Sequence, residues 1–248
     1  MRRRPPTVMK IVTWNCCQKF EQKAERIFAR SPDIAVIQEC SKRSTEMLLF
    51  GDGYLAHWRG DNPNKGLGVF YRREWDVRPR QRSDSKSAEA KWIVPFDVHG
   101  PESFTLIAVW ACAIDGNYHA GYVGQIHKAL KHHPEWFSTG PVVMAGDFNS
   151  NAVWDRKRGA ENHSSMVEAL GRHGLVSAYH CSLSQEHGAE QHPTFHLYRH
   201  ADKPYHLDYI FVPLSWQNRL SVEVGSHADW ARLSDHYPLS MTLSPKLR

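Results

Sequence analysis

Seven polar residues in this chain are of types that could do chemistry together: Asn15, Glu39, Asp147, Asn149, Asp208, Asp235 and His236. Their donors are hard oxygens with little thiolate, a set that suits Mg²⁺ or Mn²⁺, and Mg²⁺ commonly takes one or two carboxylates plus waters and a substrate phosphate. A metal and a histidine together suit attack of water on a phosphate ester. The metal screens negative charge, one carboxylate orients the water, and an imidazolium paired to another carboxylate stabilises the transition state. Most of these residues also have a plainer reading. Asp147 and Asn149, at i and i+2, would share one side of an extended chain, yet the pair serves equally as a turn former. Glu39 alone reads as a solvated loop residue, and Asp235-His236 alone as a cap. Asp208 is harder to dismiss, because a carboxylate inside an apolar strand is costly unless it is paired.

All seven stand at or near the ends of predicted strands. Val142 to Ala145 is an apolar run ending at Gly146, the pattern of a buried strand that breaks into a loop. Apolarity on both faces suits a sheet covered on both sides. Lys10 to Asn15 is β-branched and aromatic, hence a strand. Phe20, Ala24, Ile27 and Phe28 recur at helical spacing until Ser31-Pro32-Asp33 stops them. Ile34 to Ile37 is a second buried strand, ending in Gln38-Glu39, and the three segments have the form of a strand–helix–strand crossover. Further strands are expected over Gly66 to Tyr71, Lys91 to Val98, Phe104 to Trp110, His206 to Pro213 (with Asp208 early in it), Ser221 to Gly225 and from Ser234 to about Leu243. Helices are expected in Thr45 to Phe50, Tyr118 to Leu130 and Ser164 to Arg172. Arg59 to Asn64 reads as a turn cluster, and Arg78 to Glu89 and residues 181–193 as polar loops. Gly51-Asp52-Gly53-Tyr54-Leu55-Ala56 mimics a dinucleotide fingerprint without the strand and helix that must flank one.

At 248 residues, 41% hydrophobic and 23% charged, the composition is globular, and without repeats or linkers it predicts one domain, residues 9–248. Residues 1–8 are expected to be a disordered basic tail, or to precede a true start at Met9. No apolar run approaches the roughly 18 residues of a membrane span, and the N-terminus lacks the apolar core of a secretory signal. Five cysteines fit no disulfide framework, which predicts reduced thiols and a cytoplasmic protein. A formal charge of +5 permits a polyanionic partner without requiring one. The 16 histidines, and the neighbourhood of Cys181, His187, His192 and His196, raise a zinc reading. Their spacing fits no familiar four-ligand pattern, and surface histidine enrichment is the expected cause. Absence of Gly-x-Ser-x-Gly and of a phosphate loop argues against a serine hydrolase and an NTPase.

Thr-Trp-Asn at 13–15, Gln-Glu at 38–39, Gly-Asp-Phe-Asn at 146–149, Leu-Asp-Tyr-Ile at 207–210 and Ser-Asp-His-Tyr-Pro-Leu at 234–239 together resemble the endonuclease/exonuclease/phosphatase superfamily, which includes the type I deoxyribonuclease-like enzymes. The motifs match in the family's order across nearly the whole chain. The resemblance implies a four-layered α/β sandwich, two mixed sheets packed face to face with helices outside, and a divalent-metal phosphoesterase using Mg²⁺, with Mn²⁺ as an alternative. It implies that Glu39 binds the metal with Asn15 beside it, and that Asp235 lies near the metal directly or through water. Asp147 would orient or deprotonate the attacking water, and Asn149 would help position the phosphate. His236 would contact the scissile phosphate and be held by Asp208.

Departures from the abasic-site endonuclease branch bear on the substrate. Cys16-Cys17-Gln18 follows the first Asn in place of Gly-Leu-Arg, and the first Lys after Glu39 is Lys42, three residues on rather than two. The tyrosine-bearing segment is replaced by Trp110-Ala111-Cys112, with Tyr118 or Tyr122 as candidate stand-ins. Trp154 beside Arg156, Lys157 and Arg158 could stack a base and meet phosphates. A nuclease on DNA or RNA is therefore the leading expectation. A phosphatase or phosphodiesterase on a small molecule or phospholipid head group, and a non-catalytic binding protein of the same fold, are the alternatives.

Overall fold

β1 (Met9–Asn15) and β2 (Ile34–Cys40) pair in parallel through the short helix α1 (Ala24–Phe28), the crossover that the sequence predicts. The computed structural model describes residues 8–47, 53–80, 90–114, 121–157 and 159–246. After α2 (Lys42–Met47) come β3 (Tyr54–Asn62) and β4 (Lys65–Arg72), then β5 (Asp76–Pro79), β6 (Ile93–His99) and β7 (Phe104–Trp110). A second crossover, α3 (Val123–His132), sets β8 (Val142–Asp147) parallel to β7. The chain continues through α4 (His163–Arg172), β9 (Leu175–Ser177), α5 (Ala178–Leu183), β10 (Phe195–His196), β11 (Pro204–Tyr205), β12 (Asp208–Pro213), β13 (Leu220–Val224), α6 (His227–Trp230) and β14 (Leu239–Leu243).

Two six-stranded mixed sheets result, in the orders β13-β14-β1-β2-β4-β3 and β5-β6-β7-β8-β12-β9. Strand alternation builds the layers. Ile11, Val36, Leu106, Ala145 and Ile210 point into a shared core between the sheets. Their neighbours Ile107, Met144 and Phe211 point outward against Val123 and Ile126 of α3 and Met166 and Leu170 of α4. On the other sheet Val12, Trp14 and Ile37 pack against Phe20 and Ile27. Each such buried aliphatic side chain contributes about 1.5–3 kcal/mol relative to exposure, and many together outweigh the cost of burying a few acids. The expected four-layered sandwich is what forms.

Several segments differ from expectation. Arg59 to Asn62 continues β3 rather than turning, since its backbone pairs with β4 up to Asn62↔Lys65. Arg78 and Pro79 belong to edge strand β5, and α5 takes the first residues of the predicted loop 181–193. Helix α2 begins earlier than predicted, and residues 48–50 lie outside the described segments. Among the described residues no helix is long and apolar enough to cross a membrane.

Candidate active site

Topology brings the chemical residues to one edge. β1 and β8 end there, at Asn15 and Asp147, and Glu39 is the next-to-last residue of β2. β12 runs antiparallel to β8 and β14 antiparallel to β1, so they begin there. Register sets Asp147 directly opposite Asp208, and both are fully buried. Like charges in that relation repel, so a third group must compensate. His236 does so: its Nδ1–H donates to Asp208 Oδ2 at 2.9 Å, and its Nε2 faces Asp147 Oδ2 at 3.9 Å. Burial by itself lowers the His236 pKa, but the charges of Asp208, Asp147 and Asp235 raise it to about 10. Burial, with the Asp208 charge, lifts Asp147 to about 7 against the opposing pull of His236. The costly buried Asp208 is thus paired as the sequence suggested, although its Oδ1 has no partner among the described residues.

Backbone strain aims the remaining groups. Glu39 is the extra residue at a register shift between β2 and β4 and has φ 61°, a bulge that turns its side chain out of the ladder. Its Oε1 meets Lys65 Nζ at 3.2 Å and accepts from Asn15 Nδ2 at 3.4 Å. The same Asn15 amide donates to Asp147 Oδ2 at 3.1 Å, crossing between the sheets, while its Oδ1 accepts from Cys17 N. Gly146 is required by close approach, since a Cβ there would overlap the Val109 carbonyl. Extended geometry does not persist to Asn149: at φ 46° it curls back, donating from its N (2.9 Å) and Nδ2 (3.1 Å) to the Asp147 carboxylate. The turn-former reading of this pair is the one that holds, and the turn also fixes the acid. Half-buried Asp235 accepts from Ser234 Oγ at 3.3 Å.

A cavity of about 480 Å³ adjoins Glu39 and Asn149 and is lined also by Lys65, Lys91, Trp92, Trp110, Cys112 and Tyr122. Tyr122 is therefore beside the site. Trp154 instead packs its ring on Tyr205 at 4.9 Å and does not line this cavity, and Tyr118 lies outside the described residues. Burial pushes the Cys112 thiol up to about 12, so the pocket offers no thiolate at neutral pH. Lys65, Lys91 and Trp92 carried no sequence signal, because only the β3–β4 pairing and the fold of β6 bring them to Glu39. Thr194 was equally silent: its Oγ1 accepts from Asp208 N (3.0 Å) and its carbonyl from Tyr237 N (2.6 Å), tying the two acid–histidine segments together.

Behind this edge lies a second polar cluster. His163, His180 and His206 are buried, and His187 is stacked on His180. These histidines are not the surface enrichment expected from composition. The four residues of the zinc reading do not converge, since Cys181 points to Gln217, His192 to Tyr179 and His196 stacks on Tyr237.

Comparison with curated protein sequences finds no significant match. Among solved structures, the 3′ phosphatase NExo from Neisseria bound to a product DNA hairpin superposes with TM-score 0.72 at 19% identity, covering 95% of this chain and 99% of that one. The AP endonuclease LMAP from Leishmania major gives 0.72 at 15% identity, over 96% and 88%. Truncated TDP2 from Caenorhabditis elegans gives 0.68 at 12% identity, over 96% and 98%. These likenesses establish the fold. The family itself is shown by a match over residues 12–236, and this chain belongs to the Endonuclease/Exonuclease/phosphatase family of metal-dependent, phosphoester-hydrolysing enzymes.

Proposed function

We propose that this enzyme is a nuclease or nucleic-acid end-processing phosphoesterase that uses Mg²⁺, with Mn²⁺ able to substitute. The observation that carries the hydrolytic reading is the buried Asp147–His236–Asp208 set, in which one imidazole is held between two carboxylates. The donor set near Glu39 is made of carboxylate and amide oxygens, with the Cys112 sulfur held as a thiol, and fits a hard divalent cation. Glu39 would hold the ion, with Asn15 and Asp235 beside it, and the bound ion would neutralise charge on the phosphate.

The chain's own residues then divide the work. Asp147, lifted toward neutrality and fixed by Asn15 and Asn149, takes the proton of the attacking water. Imidazolium His236 presents Nε2–H to a phosphate oxygen, while Asp208 keeps the ring charged and oriented. The adjoining cavity favours nucleic acid, because Lys65 and Lys91, lying over the buried rings of Trp110 and Trp92, bring cations to its wall for a polyanion. Structural neighbours described as a 3′ phosphatase bound to a product DNA hairpin and an AP endonuclease support the same substrate class.

Hydrolysis of bis(p-nitrophenyl) phosphate, plasmid, single-stranded DNA, RNA and 3′-phosphorylated duplex, each with Mg²⁺, Mn²⁺ or EDTA, tests this reading. Metal-dependent cleavage of a nucleic acid, lost in Asp147→Asn, is expected. Turnover confined to small phosphate esters would move the substrate to the small-molecule class.

A further inference from the structure

We propose that His180, His187 and Glu190 form a second metal site, separate from the phosphoesterase centre, that takes Zn²⁺ or a similar divalent transition ion. One nitrogen of each ring and one oxygen of Glu190 lie within 4.8 Å of one another. Two imidazoles and one carboxylate are the three-ligand set of open zinc sites, and nitrogen donors select against Mg²⁺ and Ca²⁺. The far side of each ring is already held: His180 Nδ1 meets Ser177 Oγ at 2.8 Å, and His187 Nδ1 meets His163 Nε2 at 2.9 Å. Partners of that kind fix the tautomer of a metal-ligating histidine and aim its other nitrogen. His180 Nε2 in turn lies 3.1 Å from Glu190 Oε1, about the separation of two ligands sharing one ion.

Two further observations point to a ligand here. His206 packs in the same ring cluster, its centroid 6.0 Å from that of His180, and its buried Nε2 has no hydrogen-bond partner among the described residues. A cavity of about 310 Å³ lined by Asn151, Gly188, Glu190, Gln191 and His206 reaches the carboxylate and supplies a path for an ion. The second Glu190 oxygen accepts from Asn151 Nδ2 at 3.1 Å. An ion there would clamp the loop after α5 back onto α5 itself. That loop leads to Thr194, which holds Asp208, and to Phe195, whose ring centroid is 4.6 Å from that of His236. Occupancy of the site does not depend on the phosphoesterase reading.

The test uses the full, tag-free chain dialysed against micromolar Zn²⁺ in millimolar Mg²⁺, with bound zinc quantified by mass spectrometry and Co²⁺ as a spectroscopic probe. The expected result is one Zn²⁺ per chain in wild type and in Glu39→Gln, and none in Glu190→Gln or His187→Ala, with folding checked by circular dichroism. Tetrahedral Co²⁺ bands should follow the same pattern. Ser177→Ala, which touches only the far nitrogen of His180, should weaken zinc binding by about 10–100-fold. Wild type that binds no zinc would overturn the proposal. So would zinc lost in Glu39→Gln yet retained in His187→Ala, which would assign it to the catalytic edge.

Discussion

His236 and His163 are both almost fully buried, 5% and 1% exposed, and burial pushes both imidazoles toward the neutral form. They end on opposite sides of neutrality. Around His236, Asp208, Asp147 and Asp235 outweigh burial and lift it to about 10. Around His163, burial prevails: the pull of Asp155 and Glu190 is opposed by the rings of His180 and His206, and the group falls to about 4. Burial takes His206 to about 4 as well. One residue type thus serves two purposes. The acidic edge around His236 keeps a cation, and burial in the cluster behind it keeps His163, His187 and His206 neutral.

The largest expected effect in breaking this contrast is on turnover. Asp147→Asn should lower kcat by about 10²–10⁴-fold, the usual contribution of a positioned base, while far-UV circular dichroism and the signals of the histidine cluster stay unchanged. Retained activity would remove Asp147 from the chemistry. Next comes Asp208→Asn, which deletes the acid that holds His236. With that charge gone, burial should carry the imidazole down from about 10, read by NMR titration of metal-free protein, and kcat should fall by about 10²–10³-fold. His163 should not move.

Stability against pH separates the two regions by sign. The unfolded chain binds protons on its histidines near pH 6.5, whereas folded His163 and His206 do so only near 4. Across that window the unfolded state binds more protons, so stability falls as pH drops from about 6.5 toward 4. His236 acts oppositely: its contribution is full below about 6.5 and is lost as pH rises through about 10. Thermal melts of His163→Gln should show a flatter acid limb than wild type. An unchanged limb would mean that this ring is not held neutral. The smallest effect belongs to Lys91→Ala in the cavity wall, which should weaken nucleic-acid binding evenly across sequences and reduce the salt slope by about one.

What the sequence determined by itself was the set of core strands, though not β3, β5 or the short β9, β10 and β11, and the acids at their ends. Apolar runs such as Val142 to Ala145 declare themselves because burial on both faces leaves no polar position, and the motif residues Asn15, Glu39, Asp147, Asn149, Asp208, Asp235 and His236 stand beside such runs. Helix α4 was legible too, and its Asn162–Ser165 capping box fixes where it starts. Only the tertiary structure decided how these parts meet. The Asp147↔Asp208 register, the bulge that turns out Glu39 and the curl of Asn149 onto Asp147 depend on pairings between segments far apart in the chain. The same holds for Lys65, Lys91 and Trp92 beside Glu39, and for His163 meeting His187, since side chains on different elements have no spacing that a linear pattern can report. Whether His236 or His163 carries a proton is settled last, by burial set against the carboxylates and rings that surround it.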